Sequence, residues 1–223
     1  MSTACPLLSG DGGPEAAAAA RAADTTENTL YLDPILKGRY PRMEESDVAM
    51  ATGLEAAVRT RDLAEIAAPV DFLGVNYYSP VVVDGAGRPV QLYPVSAAGW
   101  QQIYPEGLAH TLGRLHQDYA SPEVMITENG LPDDVIDAND PAAYNTRVAF
   151  LRQHLAAVHR AIADGSRVTG FHAWSLLDNF EWAAGYTQRW GLVGVDFDTQ
   201  ERRPKASAAW YSTVSRSNRI TAE

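Results

Sequence analysis

Cysteine is nearly absent from this chain of 223 residues, where Cys5 is the only one. A single thiol excludes an internal disulfide and any zinc site built from several cysteines. Basic residues are also scarce, with 18 Lys and Arg against 28 Asp and Glu, which gives a formal net charge of −10. This acidic balance disfavours binding to nucleic acid or to an anionic membrane surface.

Long apolar runs are lacking as well. No stretch approaches the roughly 20 residues that span a membrane, and no basic segment followed by an apolar core opens the sequence. The composition, with 46% hydrophobic and 21% charged residues, is nevertheless typical of a globular protein. We therefore expect a soluble, cytoplasmic protein.

Three short apolar segments, each followed at once by polar and aromatic residues, have the pattern of buried parallel strands. They are Val70–Ser79, Glu123–Gly130 and Val168–Leu177. Helices are predicted between them, one starting at Pro105 and one over Tyr144–Ala163, where apolar residues recur at helical spacing. This alternation predicts an α/β fold with parallel strands joined by right-handed crossovers.

The remaining segments are predicted to be helical or irregular. Residues 1–13 show no periodicity and are interpreted as an irregular leader, after which Pro14 opens an Ala-rich helix. The segment Asp33–Pro41 contains two prolines and a glycine and is predicted to be a loop. One or two amphipathic helices are expected over Met43–Ile66, and a hairpin turn around Asp84–Gly87.

Glu128 ends the second predicted strand, in the stretch EVMITENG. Folds of the α/β class place their chemistry at the carboxyl ends of parallel strands. A carboxylate there can act as a base, a metal ligand or a nucleophile, although a lone strand-end Glu most often faces solvent. The other strand ends carry Asn76–Tyr78, and Trp174 followed by Asp178–Trp182. Because indoles stack on sugar rings while carboxylates and amides bind sugar hydroxyls, this combination favours a carbohydrate site.

Five segments of the chain carry distinctive motifs: LDPILKGRYP, DFLGVNYYSP, GWQQIYPEGL, VMITENG and WSLLDNFEWAAGYTQRWGLVGVDFDTQERRPKAS. Together they resemble glycoside hydrolase family 1, the β-glucosidase group. The resemblance extends over about residues 14–214 but covers only the C-terminal half of that family's chain. It implies a TIM (β/α)8 barrel whose sixth, seventh and eighth strands are the three predicted here, so residues 14–223 would form part of a barrel that does not close.

Residue by residue, the resemblance implies roles in the hydrolysis of a β-glucoside or related disaccharide. Glu128 matches the catalytic nucleophile, and Tyr78 matches the tyrosine that hydrogen-bonds it. No metal or organic cofactor is implied. The implied substrate-binding residues are Asn76 in the same pocket, Glu181 and Trp182 on the hydroxyls of the non-reducing glucose, Trp174 as the platform beneath that ring, Trp100 at the leaving-group side, and Trp190 in the pocket wall where many members have Phe.

Half of the expected catalytic machinery is missing from the sequence. Retaining glycosidases use two carboxyl groups about 5–5.5 Å apart, one as the nucleophile and the other as the acid/base. In this family the acid/base glutamate lies in an Asn-Glu-Pro motif on the fourth strand, and the present sequence contains no such motif. Neither Glu181 nor Glu106 matches the position of that acid.

Two interpretations of the chain follow. In the first it is the C-terminal part of a β-glucosidase, weak or inactive unless a chain supplying the N-terminal barrel half completes it. In the second it is a non-catalytic sugar-binding or vestigial protein that retains the Trp and Glu platform. The abrupt change from leader to family-like sequence near Pro14 favours a truncated or shifted reading frame. Three parallel strands alone would expose sheet edges that such folds normally cover.

Overall fold

The main sheet of this protein has three parallel strands, as a computed structural model of the chain shows. The structure describes residues 6–8, 13–41, 53–54, 56–132 and 141–220. Its strands are β1 Pro6–Leu8, β2 Leu73–Asn76, β3 Val81–Val83, β4 Val124–Asn129, β5 Val168–Ala173, β6 Val193–Val195 and β7 Arg202–Pro204. Its α-helices are α1 Pro14–Asp24, α2 Leu30–Lys37, α3 Asp62–Ile66, α4 Pro105–Asp118, α5 Pro141–Ala163 and α6 Ala206–Ser217, and a π-helical turn, Thr25–Thr29, joins α1 to α2.

The three predicted strands are confirmed, and they pair in the order β2-β4-β5 with every pairing parallel. Val75 and Ile126 are fully buried and lie side by side on neighbouring strands. Their β-branched side chains fit the pleated surface of a strand. Because the sheet is covered by helices, its strands are buried and appear in the sequence as short apolar runs. Because all three strands point the same way, their carboxyl ends lie along one edge of the sheet.

Helix α4 covers one part of this sheet and packs against α5. Pro105 is its first residue, where the missing backbone N–H costs nothing. Leu108, Leu112 and Leu115 follow at helical spacing and are almost completely buried in a core shared with β2 and β4. Each such leucine contributes roughly 1.5–3 kcal/mol by burial. The predicted helix and its buried face are both confirmed.

The helix predicted over Tyr144–Ala163 is confirmed as α5, which begins earlier, at Pro141. Val148 and Leu151 of this helix are buried in a second core cluster. Trp210 and Val214 of α6 complete that cluster, with further members Leu131, Phe150 and Leu192. The helix ends shortly before Gly165, whose positive φ of +104° is a conformation that glycine adopts readily.

Helix α2 includes residues 33–37 of the segment predicted to be a loop, Asp33–Pro41, so that prediction was wrong for these residues and is confirmed for residues 38–41. Pro34 lies inside the helix, where proline normally disfavours helical structure. Tertiary contacts outweigh this cost: Leu32 is buried in the first core cluster, and Asp33 accepts a 2.7 Å hydrogen bond from the hydroxyl of Tyr119. The prolines and the glycine indicate only the local conformational preference of the segment. The residues that stabilise the helix by contacting Leu32 and Asp33 come from a distant part of the chain.

The segment interpreted as an irregular leader includes strand β1, which pairs in parallel with β3 through Pro6 and Val81. For those three residues the prediction was wrong, and the domain boundary proposed at residue 14 stays a prediction. The predicted hairpin turn is confirmed, since the N–H of Gly87 donates to the carbonyl of Asp84 at 2.9 Å. Of the helices predicted over Met43–Ile66, α3 is present, and residues 42–52 and 55 lie outside the described residues.

The three-stranded sheet has two open edges. Among the described residues no strand pairs with the outer edge of β2 or of β5, so the arrangement is an incomplete barrel, as predicted. No helix in the described ranges is both long and apolar enough to cross a membrane.

Candidate active site

Tyr78 and Glu128 meet at the carboxyl ends of β2 and β4. The hydroxyl of Tyr78 donates a 2.9 Å hydrogen bond to Oε2 of Glu128. The strands bring them together because Asn76 is the register partner of Glu128, and the N–H of Tyr77 donates to the carbonyl of Glu128 at 2.9 Å. Burial, followed by the charge of Glu128 and the hydrogen bond to it, raises the pKa of Tyr78 well above its usual range. Tyr78 therefore stays protonated and acts as a fixed donor to the carboxylate.

Asn76 lies one strand away from Glu128, as its register partner. Its Oδ1 accepts a 2.6 Å hydrogen bond from Oγ1 of Thr127, the residue before Glu128. The β2–β4 register shifts between Val75 and Asn76, so the strand pairing is irregular at this point. The structure therefore places the backbone of Asn76 beside that of Glu128, and the contact of Asn76 with a sugar stays a prediction.

Two tryptophans and Tyr78 form an aromatic wall beside the carboxylate. The Trp190 ring lies edge-on to the Tyr78 ring, with centroids 5.6 Å apart and an interplanar angle of 90°. Trp100 stacks on Trp190 at 6.2 Å with an angle of 25°. Only 3% of Trp190 is exposed, against 55% of Trp100. The buried ring of Trp190 therefore packs against the Tyr78 ring inside the protein, while the Trp100 ring is exposed to solvent.

Glu181 is the second carboxylate of the site. It is buried, and burial, followed by the charges of Asp178 and Glu128, raises its pKa, which hydrogen bonding from Trp174 and Asn179 opposes. Its Oε1 is buried and has no hydrogen-bond partner within the described residues. A buried acceptor of this kind is suited to a ligand hydroxyl.

Trp174 and Trp182 flank Glu181 along the chain but differ in exposure. Trp174 follows β5, and its N–H donates to the carbonyl of Asn129 at 2.9 Å, which fixes it beside the end of β4. Trp182 begins a short 3₁₀ helix, Trp182–Ala184, and is 77% exposed. The backbone of Trp174 is therefore fixed beside the end of β4 and its side chain hydrogen-bonds Glu181, whereas the Trp182 indole is largely exposed to solvent.

Comparison with known proteins assigns this arrangement to a family. The model of glycosyl hydrolase family 1 matches residues 2–220 of the chain. The chain belongs to this family. The match begins well before Pro14, so the family-like sequence extends into the segment interpreted as a leader.

Known family 1 proteins are similar along nearly the whole chain. A β-glucosidase A from Acetivibrio thermocellus is 39% identical over an alignment of 199 positions that covers 84% of this chain and 44% of that protein. A 6-phospho-β-galactosidase from Leptotrichia buccalis is 33% identical over an alignment of 239 positions, gaps included, that covers 93% of this chain and 51% of the relative. A solved family 1 β-glucosidase from Thermotoga maritima superposes with a TM-score of 0.86 at 34% identity, over 100% of this chain and 51% of its own. The chain thus spans about half the length of the relatives it matches.

Within this family 1 chain, a buried ion pair organises the loop after β5. Oδ1 of Asp178 accepts hydrogen bonds from the N–H of Gly191 at 2.8 Å and from Nζ of Lys205 at 3.1 Å. Sequence reasoning grouped Asp178 with the sugar-binding strand ends. The structure instead places its carboxylate inside the loop, where it ties the segment carrying Glu181 to the segment carrying Trp190.

Arg147 is a further supporting residue that sequence reasoning missed. It lies on α5, is buried, and donates to the carbonyls of Arg189 at 2.9 Å, Trp190 at 2.8 Å and Gly191 at 2.7 Å. These three hydrogen bonds from the guanidinium fix the backbone around Trp190. An arginine in an amphipathic helix is normally predicted to be exposed to solvent, so the sequence gives no indication of this role.

Among the described residues the carboxylates form no metal site, and Glu106 lies away from the strand ends. No three His, Cys, Asp or Glu side chains in the described ranges are arranged to hold a metal ion. Glu106 lies in the first turn of α4 and pairs with Arg160 at 3.7 Å, with both side chains exposed. It is engaged on the helical surface rather than beside Glu128, which agrees with its exclusion as the acid.

Proposed function

We propose that this chain carries the nucleophile half of a retaining β-glucosidase-type glycoside hydrolase. The observation that supports this most is the hydrogen bond from Tyr78 to Oε2 of Glu128 within an aromatic, partly buried site of a family 1 chain. A carboxylate held by a permanent donor is oriented for attack, since one oxygen is engaged and the other, Oε1, is directed toward the substrate. In the proposed first step, Oε1 forms a bond to the anomeric carbon while the bond from that carbon to the leaving-group oxygen breaks.

The proposed substrate is a β-glucoside or a related disaccharide. Glu181 would accept a hydrogen bond from a sugar hydroxyl through its buried Oε1, with Trp182 beside it and Trp174 beneath the ring. Trp100, with its exposed ring, would contact the leaving group. The related Thermotoga maritima enzyme has been solved with isofagomine lactam and with glucoimidazole, which supports a binding site for a glucose-like ring in this fold.

Hydrolysis by this chain alone is proposed to be weak or absent. The leaving oxygen needs a proton, and the acid/base motif Asn-Glu-Pro does not occur in the sequence. Loss of general acid catalysis typically costs about 10²–10⁴-fold in rate. A substrate whose leaving group departs without a proton avoids most of this penalty.

A chain that supplies the remaining barrel strands is the proposed partner. The sheet ends at β2 on one side and β5 on the other, and a groove of about 810 Å³ lies beside β5. The residues that line it include the apolar side chains of Leu155, Val158, Ile162, Val168, Phe171, Val214 and Ile220. An open edge flanked by apolar surface is suited to pairing with further strands and helices. The cytoplasmic location stays a prediction.

The test is covalent labelling by an activated 2-deoxy-2-fluoro-glucoside, a substrate that needs a nucleophile but little acid assistance. The expected result is a mass increase on the peptide that contains Glu128, absent in Glu128→Gln. Glucose binding without labelling would instead support the alternative, a non-catalytic sugar-binding or vestigial protein. Cellobiose turnover at ordinary enzyme rates by the verified 223-residue product would contradict the proposed weak activity.

A further inference from the structure

We propose that Gln101 is a positioning residue that sets the geometry of the Tyr78–Glu128 pair; this inference rests on the function proposed above. Gln101 is fully buried. Its amide Nε2 donates two hydrogen bonds, one to the carbonyl of Tyr78 at 3.1 Å and one to the carbonyl of Gly130 at 2.7 Å. A single side-chain nitrogen therefore ties together the two backbone segments that carry the donor and the carboxylate.

The two hydrogen bonds from Gln101 matter because the backbone pairing of β2 with β4 ends before Tyr78 and Gly130. The last ladder contact between the segments is the hydrogen bond from the N–H of Tyr77 to the carbonyl of Glu128. Beyond it, in the part of the chain that the structure describes, side chains connect the two segments: Nδ2 of Asn129 donates to the carbonyl of Tyr77 at 2.7 Å, and Nε2 of Gln101 donates to the carbonyl of the next residue, Tyr78. Catalytic groups must be held to within about 0.5 Å, which strand ends without a ladder do not achieve alone.

Gln101 also connects the pair to the aromatic wall. It follows Trp100 directly, and the Trp100 ring lies 6.1 Å from the Tyr78 ring. Its Oε1 is buried and makes no hydrogen bond within the described part of the chain. An unsatisfied buried carbonyl is destabilising, so stability alone does not favour an amide at this position. The two donated bonds are the feature that distinguishes Gln101 from an apolar residue of the same size.

Gln102 offers a matched control because it is also a buried glutamine, yet its side chain binds elsewhere. Its Nε2 donates to the carbonyl of Val90 at 3.1 Å, and its Oε1 accepts from the N–H groups of Leu92 and Tyr93. The near-isosteric substitutions Gln101→Met and Gln102→Met each remove one buried amide. Only the first removes the tie between the strand ends.

The functional test is the kinetics of labelling by the activated 2-deoxy-2-fluoro-glucoside in the full chain. We expect Gln101→Met to lower the maximal labelling rate about tenfold, the equivalent of two modest hydrogen bonds, and to leave the inactivator concentration at half-maximal rate within about twofold. Gln102→Met should label at the wild-type rate. Equal rates in both variants, or a loss confined to inactivator binding, would overturn the positioning role.

A second readout does not depend on glycosidase activity. With ¹³C at Cζ of tyrosine, the NMR signal of Tyr78 is assigned by its disappearance in Tyr78→Phe, and its displacement in Glu128→Gln marks loss of the hydrogen bond. Gln101→Met should move this signal in the same direction, whereas Gln102→Met should not. An unmoved signal in Gln101→Met overturns the inference. A moved signal in a chain that is never labelled leaves the positioning role standing and rejects the proposed function instead.

Discussion

Lys205 and Asp178 form a buried ion pair, with Nζ 3.1 Å from Oδ1, across a loop that contains most of the exposed aromatic surface of the site. The carboxylate also lies 3.6 Å from Arg189. Because both members of the pair are almost completely inaccessible to solvent, neither can be rehydrated in place if the other is removed. The position of Glu181 and Trp190 therefore depends on a charge pair that contacts no substrate.

Lys205→Met is expected to lower the free energy of unfolding by about 3–5 kcal/mol, because it leaves the Asp178 charge buried without its ammonium partner. Urea denaturation followed by circular dichroism measures this change. Arg203→Met is the control, since Arg203 pairs with Glu201 at an exposed position where an ion pair contributes at most about 1 kcal/mol. Equal losses in the two variants would show that Asp178 is not held by Lys205.

Tyr78→Phe is expected to reduce labelling of Glu128 by the activated fluoro-glucoside about tenfold, while the protein remains folded. The substitution removes only the hydroxyl that donates to Oε2 and keeps the ring in contact with Trp100 and Trp190. Mass spectrometry of the modified peptide over time gives the rate. Tyr93→Phe, which alters a ring stacked on Tyr104 instead, should label like the wild type; unchanged labelling in Tyr78→Phe would contradict the orienting role.

His154 is expected to make stability depend on pH between about 4 and 6.5. Burial lowers its pKa to about 4 from the ordinary 6.5, while Nδ1 contacts the carbonyl of Phe150 at 2.8 Å. The unfolded chain binds the proton more readily in this range, so the stabilisation is complete above pH 6.5 and is lost as the pH falls through 4. The difference amounts to about 3 kcal/mol.

Denaturation curves of wild type and His154→Leu at several pH values isolate this contribution, because other titrating groups are common to both. The slope of stability against pH below 6.5 should be smaller in the variant. His159→Leu, at an exposed position of the same helix, is the control for the effect of replacing a histidine by leucine. Parallel slopes in wild type and His154→Leu would contradict the prediction.

Gly130→Ala is expected to lower the free energy of unfolding by about 2 kcal/mol or more. A Cβ at this position would overlap the carbonyl oxygen of Trp174, which is backbone and cannot rotate away. Gly113→Ala is the opposite case: it lies in α4 with open space around a Cβ and should raise stability by about 0.5–1 kcal/mol. Thermal denaturation of both variants measures the contrast, and a tolerated Gly130→Ala would show that the β4 and β5 ends can separate.

Short apolar runs predicted the strands of the main sheet, and helical periodicity predicted the two helices that cover it, because burial leaves a pattern in the sequence itself. Helix α2 was missed since the contacts of Leu32 and Asp33 that stabilise it come from residues far along the chain. The antiparallel pair β6–β7 was also missed, because Val193–Val195 and Arg202–Pro204 are too short to show alternation.

The candidate site divides in the same way. Glu128, Tyr78, Asn76 and the tryptophans carry motifs that resemblance to a family can recognise, and the structure brings Tyr78, Glu128, Trp100 and Trp190 into one group. The residues that support them do so through backbone carbonyls, as Arg147 and Gln101 do. Hydrogen bonds to backbone depend on where the chain runs, so no residue type or spacing reveals them in advance.

The burial of Trp190 gives this protein an internal optical reporter. An indole at 3% exposure between Tyr78 and Trp100 emits at shorter wavelength and resists collisional quenchers, whereas Trp182 at 77% exposure is open to them. Acrylamide would therefore quench the fluorescence of Trp182 at lower concentrations than that of Trp190. Trp210 is also buried, so the difference in fluorescence between wild type and Trp190→Phe isolates the Trp190 signal and follows loosening around the nucleophile without any attached dye.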